Sequence, residues 1–226
     1  MHIQVISLFP KLFEALTQEG VIARALEKGL WRLNLLNPRD FADNDLGYVD
    51  DRPFGGGPGM VLQAEPVWLA YQAAIQKAQS APRLLYLSPQ GSSLNEAKIR
   101  VLAKEKELIL LCGRYEGVDE RFLQKSGAEE VSIGDFVVSG GELPAMMLID
   151  ALLRKQPGVL GDSRSAEEDS FAVGLLDYAH YTRPSVWRGL KTPEVLLSGD
   201  HKKIALWRKQ NALTLSLIHI SERAGK

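Results

Sequence analysis

Short apolar runs alternate with longer amphipathic segments along most of this chain. The apolar runs predict strands at residues 3–8, 32–36, 84–87, 108–111 and 130–138. The amphipathic segments predict helices at residues 10–28, 65–78, 94–104, 119–123 and 143–154, with a last helix from about residue 200. Strands separated by helices are typical of α/β proteins, so we expect a mostly parallel sheet with helices on both faces.

Three of the predicted strands end in segments that carry glycine, at residues 86–91, 111–117 and 132–144. The carboxyl ends of parallel strands lie at one edge of the sheet, where α/β proteins hold small ligands. Glycine lets the backbone approach such a ligand closely. The three segments therefore predict one pocket, and we interpret the chain as an enzyme with a bound cofactor.

Composition and charge narrow the classes of protein further. The 226 residues suit one domain with an appendage or two modest domains, and the 27 basic and 28 acidic residues nearly balance. No apolar run approaches the roughly 20 residues of a membrane span, and the first residues lack a secretory signal. The single cysteine, Cys112, and the four histidines match no zinc spacing. These features predict a cytoplasmic protein that does not associate with a membrane.

The last third of the chain is organised differently. Residues 157–183 form a long stretch without clear periodicity, so we place a domain boundary near residue 165. Between Arg183 and Lys209 there are seven basic residues and two acidic ones, with Trp187 and Trp207 interleaved. Such a segment suits RNA phosphates and bases, although the charges alone fit a solvated helix face equally well.

Several polar motifs carry two interpretations each. The glycine-rich loop at residues 50–60 lacks the lysine and hydroxyl residue of a P-loop, so it is either a mobile loop that closes over a substrate or a plain connector. Arg114 and Glu116 lie between two glycines, in either a site or a surface turn. The acidic run at residues 167–169 is either solvated or functional, and Arg154 either caps its helix or serves a site.

Together these segments resemble a known family. The chain is similar to the bacterial tRNA (guanine-37, N1)-methyltransferases, which are S-adenosylmethionine-dependent enzymes of the trefoil-knotted (SPOUT) superfamily. The resemblance extends from Met1 to about Gln210. It rests on residues 6–10, 37–41, 49–60, 86–91, 112–117, 132–144, 168–171, 180–184 and 195–199, in this order.

The resemblance implies a fold that periodicity does not reveal. Pattern alone predicts an ordinary doubly wound sheet, because connections that thread loops are nearly absent from proteins. The family fold instead implies a deep trefoil knot in an S-adenosylmethionine-binding domain at residues 1–165. Residues 166–226 would form an interdomain lid and a small helical tRNA-binding C-terminal domain. The resemblance also implies a homodimer with active sites at the subunit interface, and a tRNA substrate with guanosine at position 37.

The resemblance also assigns catalytic roles. Asp169 would be the general base that removes the N1 proton of guanine. Arg154 would stabilise the negative charge that builds on O6 of the base. Glu116 would be a candidate for placing Mg²⁺, for which the sequence offers no metal cage.

Two further sets of residues follow from the resemblance. Contacts to the tRNA would come from Asp50, Gly59 and Arg183. Contacts to S-adenosylmethionine would come largely from backbone atoms of small residues. The predicted contacts are Tyr86, Leu87, Ser88, Pro89, Gly91, Gly113, Glu116, Ser132, Ile133, Gly134, Asp135, Phe136, Val137, Val138, Gly140, Gly141 and Pro144.

Two points complete the sequence analysis. From about residue 211 the sequence no longer resembles the family and reads as a frame-shifted or vector-derived tail, which we expect to be poorly ordered or to pack opportunistically. A ribose 2′-O-methyltransferase of the same superfamily is the nearest alternative activity, although Asp169 and Arg154 favour chemistry on the base. A non-catalytic RNA-binding or nucleotide-sensing protein is the alternative from another class.

Overall fold

The computed structural model describes residues 1–161, 169–172 and 174–224, with the backbone alone given for residues 222–224. The chain divides into two compact units, Met1–Gly161 and Asp162–Lys226. This division lies close to residue 165, within the stretch that lacks periodicity. Within the described ranges, no helix is both long and apolar enough to cross a membrane.

The first unit is built on a sheet of five parallel strands, in the spatial order β2-β1-β6-β5-β7. The prediction of an α/β fold with a parallel sheet is confirmed. A separate antiparallel ribbon pairs β3 with β4. The strands are β1 (His2–Ile6), β2 (Arg32–Leu36), β3 (Asp50–Asp51), β4 (Val61–Leu62), β5 (Arg83–Ser93), β6 (Glu107–Cys112) and β7 (Glu129–Ser132).

Helices cover both faces of this sheet, as predicted. They are α1 (Glu14–Gln18), α2 (Gly20–Glu27), α3 (Ala64–Lys77), α4 (Glu96–Leu102), α5 (Glu120–Ser126) and α6 (Glu142–Leu153), with 3₁₀ helices at Pro10–Phe13 and Pro38–Phe41. Leu108 and Leu110 of β6 belong to a core with α2, α4 and α6, whereas Ile109 and Leu111 belong to a core with α3 and α5. Because both faces of β6 are buried, the strand reads as a continuous apolar run.

Two predicted elements are shorter than the sequence indicates. The strand predicted at residues 130–138 ends at Ser132, because Gly134 adopts a φ of 154° that a continuing strand does not accommodate. The apolar residues 136–138 after it are exposed. The single helix predicted at residues 10–28 is broken, because Glu19 is extended and Gly20 has a φ of 84°.

Within its described residues, the second unit contains a short antiparallel hairpin and two helices. These elements are β8 (Val186–Trp187), β9 (Leu190–Lys191), α7 (Glu194–Leu197) and α8 (His201–Ala224). The described part of the tail after residue 211 is helical, because α8 continues through it to Ala224. Ser216 is buried there, and its hydroxyl accepts a hydrogen bond from the backbone N–H of Leu176 at 2.9 Å.

Candidate active site

The three glycine-bearing segments meet at the carboxyl edge of the sheet. Strands β6, β5 and β7 are neighbours, and residues at and beyond their ends line one cavity of about 210 Å³. Strand β5 continues past this edge, with a register shift against β7 between Leu87 and Ser92. The structure therefore brings the three segments into a single cavity, as the sequence predicts.

Most of the residues predicted to contact S-adenosylmethionine line this cavity. They are Tyr86, Leu87, Ser88, Pro89, Gly113, Glu116, Ser132, Ile133, Gly134, Phe136, Val137, Val138, Gly140, Gly141 and Pro144. Gly91 and Asp135 do not line it. A Cβ atom on Gly91 would lie 2.3 Å from the backbone nitrogen of Val131, so the position of Gly91 serves the packing of β5 against β7.

Five further residues line the cavity that were not predicted individually as contacts to S-adenosylmethionine. These are Arg114, Tyr115, Gly117, Val131 and Ser139. Each lies within a predicted strand end or directly beside a predicted contact. Four of them lie within the three segments predicted to form the pocket, and Val131 directly precedes the third, because a loop that wraps a cavity lines it with most of its residues.

Glycines allow the segments around the cavity to approach each other. A Cβ atom on Gly141 would lie 2.7 Å from Cα of Cys112, and one on Gly113 would lie 2.8 Å from the ring of Tyr86. The backbone N–H of Gly141 donates a hydrogen bond to the Gly113 carbonyl at 2.9 Å. The loop before α6 is therefore fixed directly against the end of β6, with no room for a side chain at either glycine.

A buried ion pair supports the same two loops. Glu142, which is 1% exposed, lies with Oε2 2.9 Å from Nε of Arg114 and accepts a hydrogen bond from the Ser7 hydroxyl at 2.8 Å. The Arg114–Glu142 contact is ionic rather than an aligned hydrogen bond. Arg114 also donates to the Ser139 carbonyl at 3.0 Å and stacks over the ring of Phe9. Arg114 thus connects the segment after β1, the loop after β6 and the start of α6.

Burial keeps two titratable side chains next to the cavity, Tyr86 and Cys112, in their neutral forms. Burial, followed by the charge of Glu130, raises the pKa of the Tyr86 phenol. Burial and then the Glu142 carboxylate raise the pKa of the Cys112 thiol well above its usual range. A neutral thiol is a poor nucleophile. The geometry is therefore suited to holding a ligand rather than to forming a covalent intermediate with Cys112.

The glycine-rich loop at residues 50–60 lies against the loop after β6. A Cβ atom on Gly59 would lie 2.4 Å from Oε1 of Glu116, and the Glu116 N–H donates to the Met60 carbonyl at 2.9 Å. Asp50 lies at the base of this loop, in β3 opposite Leu62. Gly59, predicted to contact tRNA, and Glu116, predicted to contact the cofactor, are therefore neighbours.

The donor set near Glu116 does not form a metal cage. Within the described residues, no group of three or more His, Cys, Asp or Glu side chains is placed to hold a metal ion. Mg²⁺ in proteins requires several oxygen ligands, often completed by water and substrate phosphates. The protein residues described here do not by themselves fit a resident Mg²⁺ ion.

The two predicted catalytic residues lie in different compact units. Arg154 ends α6 in the first unit, and Asp169 is half-buried in the second, where its carbonyl accepts the N–H of Ala172 at 3.0 Å. Glu167 and Glu168 of the acidic run lie outside the described residues. Arg183 lines a separate cavity of about 300 Å³ in the second unit, together with Tyr181 and several hydroxyl side chains.

The sequence matches the protein family described as tRNA (Guanine-1)-methyltransferase TrmD over residues 1–218. The chain belongs to this family. The match passes beyond Gln210, where the resemblance found by sequence analysis ended.

Curated relatives of this family align over almost the whole chain. A tRNA (guanine-N(1)-)-methyltransferase from Neisseria meningitidis serogroup A is 56% identical over 217 residues, covering 96% of this chain and 87% of the relative. Proteins of the same name from Dechloromonas aromatica and Stutzerimonas stutzeri are 56% and 54% identical, covering 92% and 94% of this chain and 84% and 85% of their own lengths.

Proposed function

We propose that this chain transfers a methyl group from S-adenosylmethionine to N1 of guanosine 37 in the anticodon loop of tRNA. The observation that carries the proposal is the cavity at the carboxyl ends of β5, β6 and β7, in a chain that belongs to the tRNA (Guanine-1)-methyltransferase family. Family membership favours this activity over the ribose 2′-O-methyltransferase and over a non-catalytic nucleotide sensor. A tRNA substrate also supports action in the cytoplasm.

The chemistry of the cavity lining suits S-adenosylmethionine. Most of the lining residues are apolar or glycine, which suits an adenosine group. The positive charge of Arg114 is balanced by its ion pair with Glu142. Glu116 then supplies a carboxylate for the positive charge of the donor. When bound, this group supplies an electrophilic methyl on a sulfonium, so the protein has only to position it and prepare the nucleophile.

The remaining chemistry concerns a proton on the guanine base. N1 carries a proton and is a poor nucleophile until that proton leaves. In this proposal the Asp169 carboxylate takes the proton as general base, which typically contributes about 10²- to 10⁴-fold to the rate. The Arg154 guanidinium stabilises the negative charge on O6, and its loss would cost about 10²- to 10³-fold. Asp50, Gly59 and Arg183 would position the RNA.

The target guanine lies in the exposed anticodon loop of the tRNA, so bringing it into the active site costs little free energy. Sequence-specific RNA recognition commonly targets unstacked bases in single-stranded loops. The proposal therefore needs no opening of a base-paired duplex, unlike enzymes that flip a base out of a helix. We assign no step to Mg²⁺, because the described residues around Glu116 do not form a site for it.

We also propose the finer architecture that the resemblance implies. The tight passage of Gly141 against Cys112 and the hydrogen bond to Gly113 support a knotted arrangement of the cofactor loops. The division of the chain at residue 161 supports a separate C-terminal domain that binds tRNA. A homodimer with shared active sites is supported by exposed apolar side chains on α6 and the adjacent 3₁₀ helix.

Methyl transfer into defined transcripts tests the activity. The protein is incubated with S-adenosylmethionine and a tRNA transcript carrying either guanosine or adenosine at position 37, and the digested nucleosides are analysed by mass spectrometry. We expect N1-methylguanosine from the first transcript and no product from the second. A methyl group on ribose, or equal methylation of both transcripts, would refute the proposal.

A further inference from the structure

A short hairpin in the second unit presents an aromatic side chain to solvent. Val186 pairs with Lys191, and Trp187 pairs with Leu190 directly opposite. The N–H of Thr192 donates to the Ser185 carbonyl at 2.9 Å and closes the base of the hairpin. Trp187 is 58% exposed and Leu190 is 70% exposed. Because the indole and the neighbouring leucine remain in water, their apolar area contributes little to the stability of the fold. Exposed apolar side chains grouped in this way indicate a binding surface.

The turn of the hairpin adds a cation beside the indole. Arg188 and Gly189 form the two-residue turn with φ values of 50° and 85°. This geometry matches the twist of a hairpin, but it favours asparagine, aspartate or glycine rather than arginine at the first position. Strained backbone of this kind clusters at ligand-contacting sites. The Arg188 guanidinium carbon lies 5.1 Å from the centroid of the Trp187 ring, so the two groups form one cationic aromatic surface.

The charge around the hairpin favours an anionic partner. Between Arg183 and Lys209 there are seven basic residues and two acidic ones. One of the two, Asp200, accepts hydrogen bonds from the N–H groups of Lys202 and Lys203 and is used to start α8. The segment therefore carries a net positive charge next to an exposed aromatic ring. RNA offers the complementary combination of phosphates and flat bases.

We propose that this hairpin is a stacking platform for an unpaired base of the tRNA substrate. Trp187 stacks on the base, while Arg188 and Lys191 contact neighbouring phosphates. The inference rests on the proposed function, which makes tRNA the substrate. It adds a specific contact outside the cavity, on a side chain that the site described above does not use.

Affinity measurements on three variants test the platform. The dissociation constant for a guanosine-37 tRNA transcript is measured with S-adenosylhomocysteine present, for Trp187→Ala, Trp187→Phe and the control Leu206→Ala. Leu206 is an exposed apolar residue on α8, in the same basic segment. Stacking of a base on an aromatic ring typically contributes substantially to the free energy of nucleic-acid binding. We therefore expect Trp187→Ala to weaken the affinity for tRNA at least about 5-fold. Trp187→Phe should have an intermediate affinity, and Leu206→Ala should bind like the wild type.

Salt dependence separates stacking from charge. Arg188→Gln is expected to reduce the magnitude of the slope of log affinity against log salt concentration by about one, which corresponds to one phosphate contact. Trp187→Ala should leave this slope unchanged. Circular dichroism and thermal melts check that each variant is folded. Because the binding assay needs no methyl transfer, loss of the proposed activity and loss of the platform give different results.

Three outcomes would overturn the platform. The first is wild-type tRNA affinity in Trp187→Ala, and the second is an equal loss of affinity in Leu206→Ala. The third is a changed oligomeric state of Trp187→Ala with unchanged tRNA affinity, which would make the hairpin a protein interface instead.

Discussion

Guanine must lose a proton before N1 accepts a methyl group, and in our account Asp169 receives it. Asp169→Asn preserves the size of the side chain but removes the basic oxygen. We expect methyl transfer to fall by about 10²- to 10⁴-fold, while the affinity for S-adenosylhomocysteine measured by calorimetry is unchanged. Full turnover by this variant would remove Asp169 from the mechanism.

At the amino ends of the strands, opposite the cavity, the buried carboxylate of Glu107 makes the stability of the protein depend on pH. Glu107 accepts hydrogen bonds from the N–H of Gln79 at 3.0 Å and from the N–H and hydroxyl of Ser80, and lies 2.9 Å from Nδ1 of His2. Burial alone would raise the pKa of Glu107. The hydrogen bonds outweigh burial and lower its pKa from 4.5 to about 2.

This lowered pKa predicts an acid-dependent loss of stability. The pKa of Glu107 is lower in the folded state, so its contribution to the free energy of unfolding is present above about pH 4.5 and disappears as the pH falls towards 2. The contribution is on the order of a few kcal/mol. Glu107→Gln should lower the melting temperature at neutral pH and flatten its pH dependence between these values. Thermal melts across this range test the prediction, which a pH dependence equal to that of the wild type would contradict.

The sequence could not reveal contacts between distant side chains. The ion pair of Arg114 with Glu142, and the hydrogen bond from Ser7, join residues from three widely separated segments. No periodicity or motif indicates such a pairing. The cavity-lining residues were easier to predict, because strand-end glycines and the family resemblance indicate the same segments.

At the scale of elements, the site depends on the close approach of α6 to the end of β6. Gly141→Ala places a methyl group 2.7 Å from Cα of Cys112, where only backbone movement relieves the clash. Overpacking of this kind typically lowers the free energy of unfolding by about 1–3 kcal/mol. Each kcal/mol lowers the melting temperature by roughly 2–4 °C in a protein of this size. We therefore expect a lower melting temperature and weaker binding of S-adenosylhomocysteine.

The matched control for this prediction is Gly161→Ala. Among the residues that the structure describes, nothing lies within 4 Å of a Cβ atom at Gly161, and its φ is not in the left-handed region. It should melt and bind like the wild type. Equal behaviour of the two variants would mean that the contact at Gly141 does not shape the cavity.

The elements themselves were predicted unevenly. Strand β2 has the predicted bounds, and β6 differs by one residue at each end, because buried parallel strands form continuous apolar runs. The strand predicted at residues 130–138 was too long, because exposed apolar residues of the cavity loop look like a buried strand in sequence. Apolar residues that line a site and apolar residues of the core give the same pattern.

At the scale of the whole molecule, exposed apolar side chains on the first unit support a dimer. Leu143 and Met147 lie one turn apart on α6 and are more than half exposed, and Phe9 and Leu12 are exposed at the adjacent 3₁₀ helix. Met147→Glu should yield monomers in light scattering and lose methyl transfer, because each active site would need both subunits. Ile75→Glu, an exposed apolar position on α3, is the control and should remain dimeric. A wild-type protein that is monomeric at assay concentration would contradict the dimer.

The arrangement of the whole chain was the least accessible to pattern analysis. Alternating strands and helices indicated the parallel sheet, but the same alternation fits an ordinary doubly wound fold and a knotted one. The predictions of a knot, a dimer and a tRNA-binding domain came only from the family resemblance. The physical reason is that hydrophobic periodicity records which face of an element is buried and not the path of its connections.

The most direct test of the account is a crystal structure of the protein with S-adenosylhomocysteine. The account predicts that the ligand occupies the cavity at the carboxyl ends of β5, β6 and β7, in contact with Ser88, Gly113 and Ile133. Ligand density at any other place on the molecule, with this cavity empty, would contradict it.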